Sequence, residues 1–540
     1  GITYTWCRKN CGTGSARFNF VSFATATSSW LVPWLVLVAQ SPFETKDPWG
    51  NFMAFFLAVG SPMLITYSLA ITVLNARWIN DEFRNLKVWN KELGGQMIGV
   101  LDDVSQFLVG SQSVPIQLVL GQKKEFVQLI VDPTKKNWWQ HLVREMKNTE
   151  REWTYSLRFQ IVGGFVVQLL AVIIFFDTSD DIYSIGTIGV TVNCLWTWMI
   201  SICLAWVWVG SQKSHSTIRN ALDKHAEPNG DVNTNLRERS NVANVPIFTT
   251  ARLPDKCFHL SIAGDAILPG PIHNYARLWT HMAVARELVK GFKFMNYRLG
   301  GRRFVADGTE IVERRVSVSR QEWNNEDYHA NPRGEPSEMA RYIGMTHECE
   351  YVPTYTPNSP KYMARIAIAT FVAFFVQWGT TGPAIVIAYF TPIVGFGCLS
   401  GPYLLYGLAA TSTWALLTIS AQLSQSYYTE LVLPKARPYI RSEVKAILAV
   451  LTRILGKLLA IASALWVVVL STIQFSNIYD SCWCNSCAVT KGVGSYVLIF
   501  ASNQDVVGAA MKAWVWGVAW SVITILATLV FVGVGKGSAG

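Results

Sequence analysis

Residues 512 to 535, KAWVWGVAWSVITILATLVFVGVG, carry a single charge, at Lys512, over a length that crosses a bilayer as one helix. Such a run is either the wholly buried helix of a large soluble core or a helix in lipid. Repetition decides between them. Comparable runs occupy 20–39, 51–75, 159–176, 185–210, 363–379, 402–421 and 458–475. Wrapping eight such helices in a polar shell takes far more ionic surface than a chain with 51% hydrophobic and only 15% charged residues supplies. The expected fold is therefore an all-α polytopic transmembrane bundle of eight spans. Trp30, Trp34, Trp378 and Trp514 fall near the ends of apolar runs, as amphipathic rings do at the headgroup level.

Two polar segments interrupt the runs, at 76–158 and 211–362. Each mixes charged helical stretches with strand-like ones. VPIQLVL and EFVQLIV lie in the first, and RRFVADGTEIVERRVSV, with a hairpin signal at Asp307-Gly308, lies in the second. The reading is two small α+β extra-membrane domains between transmembrane hairpins at 20–75 and 159–210 and a C-terminal membrane region at 363–540. A cysteine-containing tail at 1–19 precedes them, and a cysteine-rich loop at 476–511 lies within the last region.

Orientation gives two answers. Arg77, Arg84, Lys87 and Lys91 after the second run, and Arg144, Lys147, Arg151 and Arg158 before the third, place both domains in the cytosol by the positive-inside rule. The cysteines point the other way. Cys7 and Cys11 near the N-terminus, and Cys482, Cys484 and Cys487 in SCWCNSC, are disulfide candidates for an oxidising compartment. If the N-terminus lies there and both of the first two runs cross, the two domains lie there as well. The segment 383–398 must then cross as a ninth span. The expected location is an integral membrane of the secretory pathway or the plasma membrane, with membrane lipids as partners.

Catalytic signatures are weak. No P-loop and no nucleophile elbow is present, and the spans hold Gln168, Asn193 and Gln377 but no acid. His347 to Glu350 (HECE), and His273, Arg277 and His281 in HNYARLWTH, are the candidates for an embedded enzyme. No metal site or cofactor is expected, and the net charge of +10 belongs to lipid-facing loops rather than to a nucleic-acid stripe. Arg453 and Lys457, one helical turn apart, are candidate lipid-headgroup contacts.

The segment QWGTTGPAIVIAYFTPIVGFG, 377–397, is interrupted by glycine and proline and reads as a short half-helix that dips and returns. Gln377, Thr380, Thr381, Gly382, Pro383 and Tyr389 are its candidate ligand or pore residues. SSWLVPWLVLVAQSPFE, AVGSPMLITYSLAITVLNARWI, PIHNYARLW and QWGTTGPAIVIAYFTPIVGFGC resemble segments of a group of uncharacterised multi-pass membrane proteins of filamentous fungi. That resemblance implies the architecture and a fungal source, with no assigned activity. The functional expectation is a channel- or transporter-like protein for a solute or lipid. The alternatives are a homo-oligomeric scaffold and a membrane-embedded enzyme acting on a lipid-soluble substrate.

Overall fold

In a computed structural model of the chain, the described residues are chiefly 2–12, 18–39, 48–93, 97–118, 136–147, 185–209, 261–299, 360–391, 395–432, 439–476 and 504–537, with short pieces between. In chain order, β1 (Ile2–Thr3) leads into α1 (Tyr4–Cys11). The first apolar run is α2 (Phe20–Ala26) and α3 (Val32–Ala39), joined by a π turn at Thr27–Leu31. Next come α4 (Pro48–Gly60), α5 (Pro62–Glu92), α6 (Ile98–Gly110), β2 (Ile116–Leu118) and α7 (Lys136–Lys147). The second apolar hairpin supplies α8 (Ile185–Trp196) and α9 (Trp198–Val209). Then follow β3 (Phe248–Thr250), α10 (Asn274–Leu299), β4 (Arg302–Asp307) and β5 (Glu310–Arg315). The C-terminal region is α11 (Pro360–Phe390), α12 (Ser400–Val432), α13 (Tyr439–Phe475), β6 (Tyr496–Val497) and α14 (Gln504–Gly537).

Among the described residues, five helical segments are long and apolar enough to cross a membrane: 188–206, 362–390, 400–428, 443–475 and 508–535. The pair α4 and α5 makes a sixth if counted as one, but its axes differ by 103° across Ser61. The expected eight or nine spans are thus not supported. Part of the reason is physical, since the run 51–75 is not one straight helix. Most of 159–176 lies outside the described residues. Val166, Leu169, Leu170 and Ile173 within it are exposed.

The two separate α+β domains are also not supported. Among the described residues strand pairing amounts to short two-stranded ladders, and β2 of the first polar segment pairs antiparallel with β3 of the second, Ile116 opposite Thr250. The same two segments share one apolar core. Ile79, Phe83, Leu101, Phe107 and Trp139 from the first meet Leu288, Phe292 and Met295 from the second. Local alternation in VPIQLVL is too short to declare its partner, and that partner is more than 100 residues away. The β4–β5 hairpin does form, with Asp307 opposite Glu310.

Among the described residues two disulfides define one end of the bundle. Cys7 pairs with Cys482 and Cys398 with Cys484. Cys11 is a free, exposed thiol among the described residues, while Cys487, Cys257 and Cys349 lie outside them. Asn19 N–H donates to Ser476 O at the same end, 3.0 Å away. The opposite end carries the polar half of α5 with α6, α7 and α10; α6 and α10 pack on α5, and α7 packs on α6.

Candidate functional site

Position 453 and position 457 lie on one face of α13, one turn apart, and both side chains turn inward. Arg453 is 3% and Lys457 1% exposed. A buried ammonium survives only with a partner. Asp265, in a 3-10 turn at Gly264–Ile267, provides it, with Lys457 Nζ 2.6 Å from Asp265 Oδ1. Tyr275 OH, on the first turn of α10, donates to Asp265 Oδ2. Arg453 donates to the carbonyls of Ser261 (2.7 Å) and Ile262 (3.1 Å) and to Ser424 Oγ on α12 (3.2 Å). The 261–265 loop is thus clamped onto α12 and α13 by charge-assisted hydrogen bonds. Gly264 is required beneath the guanidinium, because its φ is +50° and a Cβ there would lie 1.9 Å from Arg453 Cζ.

The electrostatics follow from that packing. Burial alone would raise the Asp265 carboxyl, but Lys457, His273 and Arg453, with the Lys457 hydrogen bond, outweigh it and hold the group well below the usual carboxylate range. Burial first, and Asp265 second, push the Tyr275 phenol well above its ordinary value. Asp265 is therefore an anion and Tyr275 a neutral donor at physiological pH.

The HNYARLWTH run sits beside this cluster. Arg277, fully buried, donates to the carbonyls of Gln112 (3.2 Å), Leu268 and Gly270 and to Asn274 Oδ1 (2.5 Å). Burial pulls it down to about 9, so it remains charged at neutral pH. His281 Nε2 lies 3.0 Å from Leu108 O, which fixes the tautomer with the proton on Nε2. Burial lowers its pKa to about 4, with Arg277 acting in the same direction and the Leu108 carbonyl opposing. These residues staple α10 to the 108–112 turn. The HECE candidate, 347–350, lies outside the described residues.

A small cavity of about 50 Å³, open in part to solvent, adjoins the cluster. Asp265, Tyr275 and Thr280 line one wall, while Leu417, Ser420, Ala421, Ser424, Gln425 and Tyr428 from α12, with Arg453, line the other. Apolar floor and converging polar groups together are the makings of a small-molecule site.

The sequence-marked residues at 377–389 are placed differently from the expected half-helix. α11 runs unbroken from Pro360 to Phe390 with Pro383 inside it. Thr380 Oγ1 back-bonds to Val376 O at 3.0 Å. That local acceptor lets a polar residue sit fully buried. Gly382 has open space where a side chain would be. Tyr389 stacks edge-on against Phe390 and Phe396. The helix break lies elsewhere, at Gly60-Ser61-Pro62, and one of the marked residues, Gln377, meets it. Gln377 Oε1 accepts from Met63 N–H (3.1 Å), and Gln377 Nε2 donates to Thr381 Oγ1 (2.9 Å). Ser61 Oγ accepts from Leu64 N–H as the N-cap of α5 and donates to Ala410 O (2.7 Å), while Tyr406 OH donates to Val59 O (2.7 Å). Backbone groups freed at membrane depth are thereby satisfied by neighbouring helices.

Asp265 and its turn were missed from the sequence. One signal was available: two cations inside an apolar helix require an anion from elsewhere, and SIAGDAILPG is the polar segment's most apolar stretch that carries an acid.

No family model, curated protein or solved structure matches this chain. The membrane class rests on its apolar helices alone.

Proposed function

We propose that this membrane protein is carrier- or channel-like, taking a solute or lipid into the cavity between the 263–280 segment and α12–α13. The observation that carries this reading is that Asp265 and Arg453, buried ionisable groups at the end of the membrane helices, line one cavity from opposite walls. The helix break capped by Gln377 adds a second feature common to carriers, a discontinuous helix at membrane depth.

Native mass spectrometry of the gently solubilised full chain tests it. Ala421→Trp fills the cavity from α12 without touching an ion pair. The expected result is a specific small molecule or lipid retained by the wild type and lost from the variant. A wild type with no retained molecule, or one that Ala421→Trp retains equally, refutes the assignment.

A further inference from the structure

We infer that α4 and α5 form a re-entrant hairpin, entering and leaving the membrane from the end that carries α6, α7 and α10, so that this end and the cysteine-bearing end face opposite compartments. Depth along the bundle can be read from contacts. Phe475 and Phe390 end their helices at the disulfide end, and α12 starts there. A backbone rise of 1.5 Å per residue puts Ala460 about 22 Å, Gln377 about 20 Å and Ala410 about 15 Å from that end. Those three residues touch Gly60, Met63 and Ser61 respectively. The break therefore sits near the middle of a hydrocarbon layer about 30 Å thick.

From the break α5 runs away from the disulfide end. Val73 packs at Gly535, near the far terminus of α14, and Asn75 Oδ1 accepts from Arg365 near the start of α11. α4 comes to the break past the Pro271–His273 turn, which Ser68, nearly two turns beyond the break on α5, holds through Ile272 O (2.7 Å). The preceding run has already travelled from the disulfide end. α2–α3 lies alongside α8, with Trp30 over Gly189 and Trp34 Nε1 donating to Asn193 Oδ1 (3.0 Å). α8–α9 itself ends with Trp208 against Gly533 at the far side. A chain that crosses once and then rises to mid-depth must return to the face it left.

This arrangement removes the conflict between charge and cysteine. Arg77, Arg84, Lys87 and Lys91 emerge on the far end, as the positive-inside rule asks of a cytosolic face. Both disulfides collect at the other end, in the oxidising compartment. A fully crossing 51–75 satisfies one rule only by breaking the other.

The test is labelling with a membrane-impermeant maleimide in sealed microsomes, whose outer face is cytosolic, read by peptide mapping of the full chain. Two exposed positions are converted, Trp49→Cys at the start of α4 and Lys136→Cys on α7, and the native Cys11 thiol serves as the third. The expectation is that both introduced thiols label before permeabilisation and Cys11 only afterwards. Trp49→Cys protected together with Cys11 makes 48–92 a crossing span. Lys136→Cys labelling from the same side as Cys11 removes the assigned sidedness. Either result overturns the proposal.

Discussion

The Asp265–Lys457 pair is the contact on which the candidate site depends most. Removing one partner leaves a charge with 3% exposure or less and no counter-ion at 2.6 Å, a loss of about 3–5 kcal/mol by comparison with other buried pairs. Removing both exchanges the pair for neutral groups and is expected within about 1 kcal/mol of the wild type. The cycle is Lys457→Met, Asp265→Asn and the double variant, followed by reversible unfolding in mixed micelles at pH 7. The coupling energy should be several kcal/mol, because each single variant strands the other group. The pH dependence distinguishes a stranded carboxylate from lost packing. In the wild type the Asp265 pKa is depressed, so its contribution is present above the ordinary carboxylate pKa and is lost as pH falls through the depressed folded value. In Lys457→Met the dominant influence left is burial, which raises the pKa, so protonation relieves the penalty and the gap to wild type narrows as pH falls. Single losses below about 1 kcal/mol, or losses that simply add in the double variant, would falsify the view that this pair is buried and mutually dependent.

Three further outcomes follow from the same packing. Gln377→Leu leaves Met63 N–H without its acceptor at membrane depth and should lower stability by about 1–3 kcal/mol, whereas Gln377→Glu, which keeps an acceptor, should cost less if it takes up a proton. Gly60→Ala puts a methyl 2.0 Å from Ala460 O and should impair folding, while Gly382→Ala, which meets nothing within 4 Å, should be neutral in thermal unfolding; equal effects at both sites would place the close helix contact elsewhere. His281, lowered to about 4 from 6.5, binds its proton in the unfolded chain first, so stability should fall as pH drops from 6.5 towards 4, by about 3 kcal/mol in all. His281→Asn should flatten that part of the profile, and an unchanged slope would assign it to another group.

Apolar length, read locally, marks helices able to cross a membrane at five of its eight runs. The runs near 185–210, 363–379, 402–421, 458–475 and 512–535 all coincide with helical segments long and apolar enough to cross a bilayer. What hydropathy does not encode is direction. The run 51–75 has the composition of a span, yet Ser61-Pro62 starts a new helix within it, because a proline at the first helical turn and a serine N-cap are a stronger local instruction than continued apolarity. The same residue type misled at 383. Pro383 is carried inside α11, where a proline is tolerated because neighbouring helices cover the freed carbonyl. Both segments contain Gly and Pro, and only the cap chemistry distinguishes the helix start from the continuous helix.

The buried charges show a related limit. Arg453 and Lys457 on an apolar helix admit two readings from sequence, outward to headgroups or inward to a partner, and the choice depends on a residue nearly 200 positions earlier. Asp265 becomes that partner only because β2–β3 pairing and the shared core around Phe292 bring the second polar segment against the first, setting the 261–265 turn on α12 and α13. A chain with isolated extra-membrane domains has no reason to bury that lysine. The ion pair and the union of the two segments therefore stand or fall together, and stability losses at Asp265 should be matched by loss of protection in α10, which hydrogen exchange at Met282 to Met295 would register.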